Sequence, residues 1–175
     1  MIQELSEGRK PIIKEKVFIA PSADIIGSVT IEEECSIWYQ VVIRGDVMPV
    51  TIGRQSNIQD QTVIHGTYKK AATTIGERVS IGHRVTLHGC EIEHHCLIGM
   101  GSIVMDGAVI GHHSIVGAGS LVTEGKKVPP YQLIVGSPAR VKRPLTEEEI
   151  EFLNNYADKY LFYKSWYQSK GESDA

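Results

Sequence analysis

The chain has 175 residues and a formal net charge of −3, which sets a prior of one domain and argues against a basic nucleic-acid or anionic-membrane binder. No apolar run reaches the roughly 18 residues of a membrane span, and the N-terminus, Met1-Ile2-Gln3-Glu4-Leu5, lacks the basic-then-apolar order of a signal peptide. Three cysteines, Cys35, Cys90 and Cys96, have no framework spacing and fit a reducing, cytoplasmic compartment.

Along the chain, aliphatic residues return every sixth position. An early, weaker phase runs Val17, Ala23, Val29, Cys35, Val41. A second runs Ile52, Ile58, Ile64, and a third Ile75, Ile81, Leu87. The longest runs Ile92, Ile98, Val104, Ile110, Val116, Val122. This period fits neither a 3.6-residue helix nor a freely alternating strand. It fits a short strand plus a corner, with three units closing a triangular coil of about eighteen residues and the coils stacking into a parallel β-helix. The repeated aliphatic residue then points into the prism. Glycine beside it, as in Ile81-Gly82 and Ile98-Gly99, is expected to permit corner conformations.

The phase slips mark insertions. Val41 to Ile52 carries an excess around Met48-Pro49, and Ile64 to Ile75 predicts a corner loop over 67–73. Leu87 to Ile92 is one residue short, a tightened corner at Gly89-Cys90. Pro129-Pro130 and Ser137-Pro138 are breakers expected to end the coil. A helix is predicted from about 146 to 168, opened by a Thr146/Glu149 capping box with acids in its first turn. Ile150, Leu153, Ala157, Tyr160 and Lys164 give it one face, to lie along the prism or on a neighbouring subunit. Gly171 to Ala175 are expected to fray.

Position in the repeat separates the seven histidines. His65 follows Ile64 and His88 follows Leu87, three steps later, so the two stack on one corner about 4.8 Å apart and can converge on one metal. His83, at offset two after Ile81, belongs to the preceding face and is poorly placed to join them within one prism. In a three-fold trimer it can meet a neighbour's corner, giving a His₃ set with an open fourth position, the arrangement of catalytic zinc. His94-His95 and His112-His113 read as solvated corners, Cys90 as a small buried thiol and Trp38 as interface packing.

Arg44-Gly45-Asp46, Asn57-Ile58-Gln59-Asp60, His65, Gly82-His83 and His88-Gly89-Cys90, in this order and in a hexapeptide context, resemble the γ-class carbonic anhydrases. The resemblance covers roughly Val17 to Val122. It implies an all-β fold, a left-handed parallel β-helix over residues 1–145 with a C-terminal α-helix over 146–168 packed on it. It implies a homotrimer whose metal, zinc with iron or cobalt as alternatives, is held by His65, His88 and the neighbouring subunit's copy of His83. Gln59 would hydrogen-bond the metal's water, Asn57 would help order the pocket, and Arg44, Asp46 and Asp60 would form ion pairs around the site and across the interface. The implied activity is reversible hydration of CO2 to bicarbonate, without nucleic-acid or membrane partners. The best-studied members carry proton-transfer glutamates where this chain has Val47 and the acid-free stretch Gly66-Thr67-Tyr68-Lys69-Lys70, so proton removal is expected to be slow. Tyr160 or Tyr163 is a further pocket candidate. The competing readings are a hexapeptide acyltransferase, whose exit Gly136-Ser137-Pro138-Ala139-Arg140 resembles, and an accessory or thioesterase-like homologue.

Overall fold

Each coil of the computed structural model, which describes residues 1–168, passes through three short strands separated by corners, and about seven such turns form a β-solenoid. Parallel pairing stacks equivalent positions in register. The first face carries Ile25, Ile43, Ile64, Leu87, Val104 and Val122. The second carries Ile31, Ile52, Ile75, Ile92, Ile110 and Val128. The third carries Ile37, Ile58, Ile81, Ile98, Val116 and Ile134. All of these are buried in one continuous core that fills the prism. Each coil thus covers the apolar interior of the next.

The first coils differ from the sequence expectation. Their strongest inward phase is Ile13, Ile19, Ile25, Ile31, Ile37 and Ile43. Ala23, Val29, Cys35 and Val41 are also buried, two residues earlier, with Val29 on the strand Asp24–Ile31 and the other three immediately before a strand. Counted from Ile43, Ile52 lies nine positions on, so the excess residues fall within the strand Val42–Ile52, which turns a corner without breaking. The later loop is as expected: Thr67 N–H donates to the Ala71 carbonyl at 2.9 Å, and the excursion closes on itself.

The glycines after the aliphatic positions act through space rather than through backbone conformation. A Cβ on Gly99 would stand 2.5 Å from the Ala118 nitrogen of the next coil. The left-handed corner positions are mostly other residues, such as Gln61 and Arg84, with φ of 61° and 58°.

Pro129-Pro130 does not end the solenoid. Gln132–Gly136 still pairs in parallel with Ile115–Val116, and only after Ser137-Pro138 does the chain reverse into Ala139–Pro144, an antiparallel strand that covers the last edge. Helix α1 follows at Glu147–Gln168. Its capping box forms as expected: Thr146 N–H donates to Glu149 Oε2 at 2.9 Å, and Glu149 N–H to Thr146 Oγ1 at 3.3 Å. The helix lies along its own prism, with Leu153 and Ala157 buried. Lys164 Nζ donates to the carbonyls of Lys16 and Glu34 at 2.9 and 2.7 Å. Trp38, expected at a subunit interface, instead packs within the chain against Phe18 and α1 residues Tyr160 and Tyr167.

Candidate metal centre

His65 and His88 end two adjacent strands of the first face, Val63–His65 and Thr86–His88, and are direct register partners. Both rings leave the prism at the corner between the first and second faces. His65 Nδ1 and His88 Nε2 face each other at 3.3 Å. Each ring's other nitrogen meets a carboxylate: His65 Nε2 lies 2.8 Å from Asp46 Oδ1, and His88 Nδ1 lies 2.5 Å from Asp106 Oδ1. If each neutral ring donates its one N–H to its carboxylate, two lone pairs are left facing each other. A tetrahedral metal with bonds of about 2.0–2.1 Å holds two nitrogen donors about 3.3–3.4 Å apart. The observed pair fits a metal without rearrangement, and the carboxylates fix the ring orientation that ligation needs.

The two acids are held ionised. Burial works against the Asp46 charge, but the hydrogen bond with His65 and the Arg44 guanidinium outweigh it and keep the carboxyl below its usual range. Burial likewise opposes the Asp106 charge, and hydrogen bonds from Thr67 and His88 with the Lys70 charge prevail. Asp106 was not among the residues singled out in the sequence. It lies 18 residues after His88, one full coil, and that spacing was its only signal.

His83 sits at the other edge of the first face, between the strands Ser80–Ile81 and Thr86–His88. Its Nδ1 is 2.7 Å from Asp60 Oδ2. Four residues separate it from His88, from the left-handed corner residue Arg84 to Leu87 on the strand, so the two histidines stand at opposite ends of the first face. Among the described residues no three histidine, cysteine or acidic side chains of one chain come together as a metal site. The structure thus brings His65, His88, Asp46 and Arg44 together at one edge and His83 and Asp60 together at the other.

Beside His83 opens a cavity of about 480 Å³ lined by Trp38, Gln59, Asp60, Tyr160 and Tyr163, among others. Gln59 and Asn57 are buried on the third-face side of this corner. Gln59 Nε2 donates to Asn57 Oδ1 at 3.0 Å, and Asn57 Nδ2 donates to Ser80 Oγ at 2.7 Å. This chain of bonds fixes the Gln59 side chain and leaves its Oε1 without a partner among the described residues. Both tyrosine candidates reach the cavity wall, and burial pushes the Tyr160 phenol up.

The secondary signals divide. Cys90 is a buried thiol pushed up to about 12 by desolvation, as expected of an inert side chain. The histidine pairs are not merely solvated corners. His95 and His113 stack at 4.7 Å under α1, and His113 Nε2 lies 3.0 Å from Asn154 Oδ1.

Residues 89–124 match the bacterial transferase hexapeptide (six repeats) model, and residues 72–104 the hexapeptide repeat of succinyl-transferase. The chain is 53% identical over 150 residues to the "Probable carbonic anhydrase" of Methanocaldococcus jannaschii, covering 86% of this chain and 94% of that one. It is 42% identical over 157 residues to "Gamma carbonic anhydrase 1, mitochondrial" of Arabidopsis thaliana, covering 87% of this chain but 57% of the plant protein. This chain therefore spans little more than half the length of that relative. Among solved structures, a hexapeptide transferase family protein from Anaplasma phagocytophilum superposes with a TM-score of 0.90 at 43% identity, covering 95% of this chain and 97% of that one.

Proposed function

The chain belongs to the γ carbonic anhydrase family of hexapeptide-repeat proteins, and we propose that it catalyses the reversible hydration of CO2 to bicarbonate at a metal held by His65, His88 and the His83 of a second copy. The observation that carries the reading is the pair of facing ring nitrogens, 3.3 Å apart, each ring backed by a carboxylate. Zinc suits an all-imidazole set, with iron or cobalt as alternatives. When bound, such a metal supplies the Lewis acidity that makes water nucleophilic near neutral pH.

The chain's own residues orient and hold. Asp46, Asp106 and Asp60 each accept from one histidine, which fixes the ring and leaves the opposite nitrogen free for ligation. Gln59, anchored through Asn57 to Ser80, offers an uncharged group that orients the attacking oxygen without competing as a ligand. Tyr160 and Tyr163 wall the cavity on the α1 side. The stretch after His65 carries no acid, so the proton released with bicarbonate leaves by buffer.

A homotrimer would complete the split site. Two ligands at one edge of a flat face and one at the other describe a head-to-tail contact that closes as a ring. The outward side of the first face supports this, because Val63 and Ile103 are 42% and 43% exposed between the two edges. In this reading residues 1–145 form the metal-binding part, 146–168 pack on it, and the protein works in the cytoplasm. A hexapeptide acyltransferase, the competing reading, needs no metal triad.

The test is CO2 hydration by the metal-loaded protein in strong imidazole buffer, with metal content measured alongside. One metal per chain, with hydration that rises with buffer, is expected. Metal at that ratio without hydration leaves the accessory or thioesterase reading, and no metal leaves the acyltransferase.

A further inference from the structure

Helix α1 docks on a column of side chains that contributes one residue per coil: Glu34, Gln55, Arg78, His95, His113 and Tyr131. All six take left-handed φ, between 52° and 63°. The lower half is joined by hydrogen bonds, with Gln55 donating to Glu34 and Arg78 donating to Gln55, each at 2.8 Å. The upper half is a stack of rings. His95 lies on His113 at 4.7 Å with planes 15° apart, and His113 lies on Tyr131 at 5.3 Å.

The helix closes over this column. Arg78 Nη2 donates to the Asn154 carbonyl at 2.7 Å and to Asp158 Oδ1 at 2.8 Å. His113 Nε2 meets Asn154 Oδ1 at 3.0 Å. His95 Nδ1 is buried without a partner among the described residues. The groups facing the two rings are mostly cationic or able to become so: Arg78, His94 and His112. Glu77 acts on His95 in the opposite sense, and more weakly than Arg78 and His94 do. On the helix, Asn154 is neutral and Asp158 is already held by Arg78. Glu93, near His112, accepts from the His112 backbone N–H.

We propose that His95 and His113 are an acid-sensitive latch: uncharged, they let α1 lie on the prism, and protonated, they release it. Two imidazolium rings stacked at 4.7 Å against Arg78 repel, and protonating an imidazole nitrogen buried without a partner is penalised while the helix stays docked. Desolvation first, then the neighbouring cationic centres, hold His95 below the ordinary histidine value; for His113 desolvation outweighs the hydrogen bond with Asn154, which favours its charged form, and His112 and His94 add to the lowering. The released state therefore binds protons more readily than the docked one. Docking is complete above about pH 6.5 and weakens as the pH falls through and below that value. Release matters to the candidate site because α1 contributes Tyr160, Tyr163, Trp166 and Tyr167 to the cavity beside His83. The latch rests on the contacts of α1 alone, so a protein that hydrates no CO2 would still show it.

The chain carries its own reporter. Of its two tryptophans, Trp38 on the prism packs against Tyr160 and Tyr167 of α1, and Trp166 on α1 lines the same cavity as Trp38, so Trp38 is the main reporter of docking. Tryptophan emission of the full chain is followed from about pH 8 to about pH 5, with far-UV circular dichroism to monitor the solenoid. The expected result is a reversible red shift centred below about pH 6.5, with the strand signal unchanged. In the double variant His95→Asn/His113→Asn, whose asparagines accept left-handed φ, the acid shift is lost. Either single variant retains a shallower transition, which keeps the test valid if the double variant docks poorly. His65→Ala, which removes a candidate metal ligand, retains the wild-type transition and separates the latch from loss of metal. A wild-type emission that stays flat over this range, or an unaltered transition in the single and double variants, overturns the proposal.

Discussion

Asp106 lies one coil beyond His88, and its Oδ1 stands 2.5 Å from His88 Nδ1 while Oδ2 accepts from Thr67 at 2.5 Å. The corner loop that begins after His65 thus reaches across to fix the acid that fixes the second histidine. Asp46 does the same for His65 from the opposite side of the corner. The histidine pair is held between two carboxylates that arrive from different coils, and neither ring can turn without breaking a hydrogen bond.

Asp106→Asn removes the charge while keeping the side chain's size. Metal affinity is expected to fall by about 10–100-fold with the solenoid intact, read by competition with a chelator. Unchanged affinity would show that Asp106 has no part in holding His88.

Gln59→Ala is expected to behave differently. The histidines and their carboxylates are untouched, so metal content is expected to stay the same while the hydration rate falls by about 10–100-fold. Loss of metal in this variant would place Gln59 in structural support of the site instead.

Arg44 pairs with Asp46, but its side chain is 44% exposed in the single chain. An exposed pair of this kind contributes only about 0–1 kcal/mol to the fold. Arg44→Ala should therefore leave the unfolding of each prism nearly unchanged and promote dissociation of the trimer on dilution, followed by light scattering. A dissociation profile identical to wild type would remove Arg44 from the interface.

Two glycines two residues apart should respond in opposite ways. A Cβ on Gly99 meets the backbone of the next coil at 2.5 Å, so Gly99→Ala is expected to cost about 3 kcal/mol, at the upper end for overpacking. Gly101 has φ of 70° and open space around its Cα, so Gly101→Asn should stay within about 0.5 kcal/mol. Denaturant midpoints compare them directly, and equal costs would contradict the close-approach account.

Much of this architecture was legible because each coil repeats one short pattern. The six-residue return of Ile92 to Val122 fixes strand, corner and interior at once, and the slips at 67–73 and Gly89 locate the corners that deviate. The phase of the first coils was harder to read because both inward positions are apolar and Cys35 or Val41 competes with Ile37 or Ile43 as the marker, whereas buried Ser102, Ser114 and Ser120 hold the earlier position before Val104, Val116 and Val122. The role of the repeat glycines was misread because a close approach between coils leaves the same trace in sequence as a turn. His65 and His88 were found together because register follows from counting steps. Asp106 and the stacking of His95 on His113 were missed, since each depends on what a neighbouring coil or helix places opposite, and that appears only in space.

The central claim is that two chains complete one metal site, and subunit complementation tests it most directly. His83→Ala chains retain the His65–His88 pair, and His65→Ala/His88→Ala chains retain His83. Each variant alone should bind little metal and hydrate no CO2. Mixed and reassembled with zinc, they should regain both at every interface where an intact pair meets an intact His83. A His83→Ala protein that keeps full metal and activity by itself, or a mixed trimer that regains neither, would contradict the account.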